Sequence, residues 1–298
     1  MLINGLLYNS EAWQGIEEKD LISFKKIDQT LLRGVLSAHP KIPTEALYFE
    51  TKSLPIRFIV TSRRLMYFHT ILQKNETEMV RKVYEAQKID PSPGDFIELV
   101  RRDCENIQLN MSDTDISKLP KQRFRAIIKE KISNSAFKFL QNMKQEHSKM
   151  QKVNYEKFEM MQYLNSPLFS NNNRILLLGL RTRTIRGIRN DFRGLYPSNL
   201  CPLGCGDIDT IENLLSCRVL KQYHVSKEVT PADVKYGDIF CQNISKQQKV
   251  TELYNQLLDT RSRIIEGIPV ATCTNTGPVH GPQAVQKLPI LSPIDIYR

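Results

Sequence analysis

Three cysteines in the last third of the chain have the spacing of a metal centre. Cys201 and Cys205 enclose Pro-Leu-Gly, and Cys217 follows after a short apolar segment. A tight turn can bring two thiolates to one Zn²⁺, and the glycines on either side of the second thiolate allow the backbone to curl so that its N–H groups face sulfur. A short helix over residues 210–216 would return Cys217 to the same ion. The pattern therefore predicts a small structural metal module, with zinc as the expected ion.

The cysteine pattern supplies three ligands and does not identify the fourth. A structural zinc site uses four nitrogen or sulfur ligands, and the inner position of the predicted helix holds Asn213. An amide oxygen is a hard, neutral and weak ligand for zinc. His224 is the nearest histidine after the last cysteine, and a water molecule is the other candidate. The predicted metal ligands are Cys201, Cys205, Cys217 and His224, and weak binding is expected. The alternative is three buried or free thiols that hold no metal.

A second group of side chains has the chemistry of a phosphate-binding surface. If residues 174–193 form one helix, its later arginines share a face, because positions i, i+3 and i+7 align. A guanidinium group can bind a phosphate through two parallel hydrogen bonds. The candidate ladder consists of Arg181, Arg183, Arg186, Arg189 and Arg193.

A long helix predicted over residues 118–152 offers another basic surface. It carries ten Lys and Arg residues, and its only acidic residues are Glu130 and Glu146. The candidate phosphate contacts are Lys121, Arg125 and Lys129. The alternative interpretation of both clusters is an ordinary solvated helix face, as for most runs of charge.

The overall charge agrees with a polyanionic partner. The 298 residues include 42 Lys and Arg against 32 Asp and Glu, which gives a net charge of +10. A balance of this kind favours RNA or DNA as the partner. The apolar runs are far shorter than the roughly 18 residues that a membrane helix needs, and the N-terminal residues lack the basic region of a signal peptide. An intracellular protein with reduced cysteines, in nucleus or cytoplasm and without a membrane partner, is therefore expected.

Apolar residues recur every three or four positions through most of the chain, which predicts a mainly α-helical fold. The predicted helices include 16–36, 56–72, 76–88, 96–109, 118–152 and 244–266, and proline or glycine separates several of them. Five prolines lie among small and polar residues after Gly267. Residues 266–298 are therefore predicted to form a disordered tail.

The sequence lacks the motifs of several common catalytic sites. A polymerase palm requires aspartates that hold two Mg²⁺ ions, and the chain contains no Asp-Asp dipeptide. It also lacks a phosphate-binding Gly-x-x-x-x-Gly-Lys loop and a His-Glu-x-x-His zinc motif. His69 lies in an apolar helix and is expected to be a packing residue rather than a base. No catalytic residue is predicted, and the chain is not expected to be an enzyme.

Several segments resemble the C-terminal, post-catalytic region of non-LTR retrotransposon reverse transcriptases. The resemblance is carried by 2–13, 38–48, 50–72, the Cys-Pro-Leu-Gly-Cys turn, and Asp-Thr-Ile-Glu-Asn-Leu-Leu-Ser-Cys at 209–217. It implies a thumb-like helical domain, a basic helical connector, a degenerate zinc-knuckle-like module, a closing helix and a tail. The corresponding boundaries are 1–90, 91–195, 196–225, 226–265 and 266–298. Family members commonly carry histidine at the position of Asn213.

The resemblance implies a nucleic-acid-binding remnant that binds RNA or DNA with low sequence specificity and lacks the polymerase palm. Two alternatives remain open. The first is a domesticated protein-interaction module with no nucleic-acid role. The second is an RNA-directed DNA polymerase of which this chain is one part, either complementing a separately encoded palm or truncated from a longer gene. A palm immediately upstream in the same reading frame would favour it.

Overall fold

The computed structural model of the chain describes residues 7–12, 18–147, 150, 153–185, 188–189, 196–223 and 235–268. This part of the chain is mainly helical and contains no β-strand apart from one isolated antiparallel bridge between Leu200 and Ile208. The predicted mainly α fold is therefore confirmed. The chain divides into two compact units, 1–183 and 184–298. From residue 269 onward, the predicted tail lies outside the described residues.

The first unit opens with a 3-10 turn at Ser10–Ala12 and continues through a series of helices. They are α1 (Glu18–Leu36), α2 (Thr44–Thr51), α3 (Ile56–Leu72), α4 (Met79–Ile89), α5 (Phe96–Asn106), α6 (Asp113–Lys118), α7 (Lys121–Glu146), α8 (Gln162–Asn165) and α9 (Asn171–Thr182).

Short polar side chains fix where several of these helices begin. The Ser170 hydroxyl accepts a hydrogen bond from the Asn173 backbone N–H at 3.2 Å, and the Asp95 carboxylate accepts one from Glu98 at 2.8 Å. Each bond satisfies an N–H that has no partner within the first helical turn. These capping bonds set the first residues of α5 and α9. Proline begins other helices, as Pro55 does for α3.

Helix α3 is the centre of the first unit, because α1, α4, α5, α6 and α7 all contact it. It buries a set of apolar side chains, namely Ile56, Phe58, Val60, Leu65, Phe68, Ile71 and Leu72. A buried salt bridge of 2.6 Å also joins α3 to α5, between Arg64 of α3 and Asp103 of α5. The domain boundary predicted at residue 90 lies in the chain between these two helices and stays a prediction.

A buried polar cluster lies between α2 and α9 within the first unit. The Glu50 carboxylate accepts hydrogen bonds from the Tyr155 hydroxyl at 2.5 Å and from Arg181 Nε at 2.8 Å. Glu50 is fully buried, and 2% of Arg181 is exposed. Burial alone would lower the pKa of Arg181, but the Glu50 carboxylate together with Tyr155 and Tyr163 outweighs burial and raises the pKa above its usual value.

Helix α9 ends before most of the candidate arginines. Its last helical residue is Thr182, and Arg183 adopts a left-handed conformation with φ of 52°. The Arg183 backbone N–H then bonds to carbonyls of the last turn, which closes the helix. A helix that starts in this segment therefore does not continue unbroken to residue 193. Arg186 and Arg193 lie outside the described residues, so a helical face shared by the later arginines stays a prediction.

The second unit is built around α11 (Ile244–Ile265), which packs on the short helix α10 (Ile211–Ser216). Two 3-10 turns, Leu220–Gln222 and Tyr236–Ile239, also contact it. The buried apolar residues of this unit include Leu214, Leu220, Val250, Leu253, Tyr254 and Leu257. None of the helices described in either unit has the length and apolarity to cross a membrane.

Candidate metal centre

The first two cysteines lie in a sharply curled loop. The Cys201 backbone N–H bonds to the Asp207 carbonyl at 2.8 Å, which closes the loop at its base. Gly204 and Gly206 have φ values of 75° and 89°, a left-handed conformation that glycine adopts without strain. The predicted role of these two glycines in curling the chain is therefore confirmed.

The structure brings Cys201, Cys205 and Cys217 together. Their Sγ atoms all lie within 4.8 Å of one another, and the first and last are 4.0 Å apart. Thiolates bound to one tetrahedral ion with metal–sulfur bonds of about 2.3 Å would be about 3.8 Å apart. No more than 7% of any of the three residues is exposed. Three buried sulfurs at this separation could hold a metal ion.

Backbone groups of the loop donate to the sulfurs. The Leu203 N–H donates to Cys201, and the Asp207 N–H donates to Cys205. Burial still raises the pKa of the Cys201 thiol to about 12. At Cys205 burial acts in the same direction, but hydrogen bonds from the Asp207 N–H and from neighbouring side chains hold the pKa below its usual value. The loop is therefore built to stabilise negative charge on sulfur at its second cysteine.

Asn213 lies beside the triad, at the position where the sequence placed the missing fourth ligand. Thr210 caps α10 by accepting a hydrogen bond from the Asn213 backbone N–H at 3.0 Å, which fixes the start of the helix. The Asn213 amide then lies against Cys205, with Nδ2 and Oδ1 at 3.7 and 3.8 Å from Sγ. The cysteine triad is the one cluster of metal-ligating Cys, His, Asp or Glu side chains within the described residues. His224 lies outside those residues.

A buried ion pair that sequence reasoning missed anchors the module to α11. Asp209, which is 1% exposed, accepts a hydrogen bond from Arg261 at 2.6 Å and one from the Arg189 backbone N–H at 2.7 Å. The pair links positions 52 residues apart. The only signal for it in the sequence was a single acidic residue directly before the cap of a short helix.

The predicted phosphate-binding residues fall into different environments. Lys121, Arg125 and Lys129 are exposed on α7. Arg183 is half-buried at the end of α9. In the second unit, the Arg189 guanidinium lies 5.6 Å from the Tyr196 ring centroid and donates to the Leu200 carbonyl. Arg186 and Arg193 lie outside the described residues.

The role predicted for Arg181 is wrong. The sequence predicted that it binds nucleic acid, but its guanidinium is buried and paired with Glu50. A cation removed from water in this way cannot reach a phosphate unless the core opens. Its place is in the first unit's core, where it neutralises a buried carboxylate.

No protein-family model matches the chain, and neither a curated protein nor a solved structure matches it significantly.

Proposed function

We propose that the protein binds RNA or DNA through phosphate contacts with little sequence preference, and that it corresponds to the post-catalytic region of a reverse transcriptase without the palm. The observation that supports this most directly is the basic surface of α7, defined as Lys121, Arg125 and Lys129. All three are exposed, and none forms an ion pair with another described residue. The resemblance in the thumb and cysteine segments supports the same function.

The three residues of this basic surface lie on one side of the helix, because each follows the previous one by four positions. Successive residues are about 6 Å apart along the axis, since an α-helix rises about 1.5 Å per residue. The helix is anchored along the neighbouring row of residues, where Phe124, Ile128 and Ile132 are buried. A rigid row of three cations fits a run of phosphates, and contacts of this type carry no base information.

Neutralising the basic surface should weaken binding strongly. We expect the triple variant Lys121→Gln, Arg125→Gln, Lys129→Gln to lose about tenfold or more in affinity for a mixed single-stranded RNA at low salt. Each lost phosphate contact removes roughly 0.7 from the magnitude of the slope of log affinity against log salt, so the slope should shrink by about 2. Fluorescence anisotropy of a labelled RNA measures both quantities.

A matched variant distinguishes the effect of this surface on RNA affinity from the effect of net charge. Lys82→Gln, Arg101→Gln, Lys157→Gln removes the same number and types of exposed charges from the same unit. It should leave affinity within about threefold of wild type. Equal losses in both triple variants would mean that binding follows total charge, and the proposed surface would be wrong.

We further propose that the cysteine triad binds zinc weakly and that Asn213→His strengthens binding. The substitution places an imidazole nitrogen at the fourth corner, where the amide of Asn213 offers no good zinc ligand, and structural zinc prefers four nitrogen or sulfur ligands. Titration against a competing chelator should show at least tenfold tighter binding in the variant. Equal affinity in both proteins would mean that the site is already complete, and loss of binding in His224→Ala would then identify the fourth ligand.

A protein-interaction module is the second candidate, and the outer face of α4 favours it. Met79, Val83 and Ile89 are 75%, 48% and 85% exposed, whereas Tyr84 faces the core. An apolar helix face in water is a common feature of protein interfaces. A protein complex that persists unchanged at high salt, together with no RNA affinity at low salt, would favour this candidate over nucleic-acid binding.

A further inference from the structure

We propose that the cysteine triad is a three-coordinate thiolate centre in which Asn213 is a hydrogen-bond donor to Cys205, not a metal ligand. Such a centre is suited to a thiophilic ion of low coordination number, with Cu(I) as the test ion. The inference rests on the proposed metal-binding role of Cys201, Cys205 and Cys217. It differs from that role in the number of ligands and in the ion that the centre prefers.

The Asn213 amide contacts Cys205, and these contacts indicate that it acts as a hydrogen-bond donor. Both of its terminal atoms lie within 3.8 Å of Cys205 Sγ, so the amide faces the sulfur. A metal-bound cysteine is a thiolate, which accepts hydrogen bonds and cannot donate them. The amide must therefore present Nδ2–H to the sulfur once metal is bound. The one remaining ligand atom of the amide is then Oδ1, a hard oxygen donor that a soft ion such as Cu(I) does not prefer.

The local structure holds the amide in this position. The Thr210 cap fixes the Asn213 backbone, and the Cys217 N–H donates to the Asn213 carbonyl at 2.7 Å. The residue is 5% exposed. Its side chain therefore fills the corner beside Cys205 with a neutral donor.

The sulfur positions fit a trigonal site. Three sulfurs around one ion in a plane, with bonds of about 2.3 Å, would be about 4.0 Å apart. Cys201 and Cys217 are 4.0 Å apart, and all three pairs lie within 4.8 Å. A tetrahedral ion with sulfur–sulfur distances about 0.2 Å shorter fits almost as well. The chemistry of the fourth corner, not the sulfur spacing, therefore decides between the two geometries.

Ligand softness and the surrounding charges favour a monovalent thiophilic ion. Thiolates are soft ligands that select Cu(I), whereas zinc normally completes a tetrahedron. Three thiolates with Cu(I) carry a net charge of −2, which needs nearby donors. The Leu203 and Asp207 backbone N–H groups face the sulfurs, and the Arg218 guanidinium donates to the Cys205 carbonyl at 2.6 Å.

The two ions should respond differently to a substitution at the fourth corner. We expect Asn213→His to raise zinc affinity at least tenfold and to change Cu(I) affinity less than threefold, because a trigonal ion does not use that corner. Competition titrations of the full chain under reducing, oxygen-free conditions measure both affinities, with a chelator specific for each ion. X-ray absorption of the Cu(I)-loaded wild type should show three sulfur neighbours and no nitrogen or oxygen neighbour.

Two results would overturn the proposal. A parallel rise of Cu(I) and zinc affinity in Asn213→His would show that both ions use the fourth corner. Nitrogen in the first shell of the Cu(I)-loaded wild type, lost in His224→Ala, would show a four-coordinate site. If the wild type binds neither ion, the metal-binding role itself fails, and the RNA measurements on the α7 surface stand independently of that outcome.

Discussion

Replacing Glu50 by glutamine should destabilise the first unit by about 3–5 kcal/mol, the usual cost of removing one partner from a buried ion pair. The substitution keeps the shape of the side chain and removes its charge. Arg181 would then remain as an uncompensated cation in the core, since it is 2% exposed and bonds to the Glu50 carboxylate at 2.8 Å. Chemical denaturation followed by circular dichroism measures the change in the free energy of unfolding.

Two further variants test the physical cause of this loss. Glu85→Gln breaks a surface salt bridge of 2.6 Å to Arg81 and should cost less than about 1 kcal/mol, because the Glu85 side chain is 42% exposed. Adding Arg181→Met to Glu50→Gln removes the stranded cation and should recover much of the stability. If Glu50→Gln costs no more than Glu85→Gln, the buried pair does not stabilise this unit.

The sequence predicted the helices well wherever apolar periodicity and local caps agreed. Apolar periodicity predicted a helix over 118–152, in which Phe124, Ile128 and Ile132 are buried in α7 and the candidate residues Lys121, Arg125 and Lys129 are exposed. The cysteine module was also predictable. Its two glycines and its third cysteine lie within a short segment, and the turn and helix of that segment depend on residues close together in the sequence.

The remaining features depend on contacts that no local pattern encodes. Arg181 belonged to a basic run, but its buried partner Glu50 lies 131 positions earlier in the chain. The end of α9 at Thr182 also has no signal in the local sequence, because apolar periodicity does not predict the left-handed conformation of Arg183. A charged residue at the end of an apolar helix can face solvent or the core, and only tertiary packing decides which.

The salt dependence of RNA affinity is the most direct test of nucleic-acid binding by this protein. We predict that the full chain binds a mixed single-stranded RNA at low salt and that log affinity falls linearly with log salt. Three phosphate contacts on the α7 surface would give a slope of about −2, which is a loss of about 20-fold between roughly 50 and 200 mM salt. Other basic residues would steepen the slope. Affinity that does not change with salt, or no binding at low salt, would contradict the proposed function.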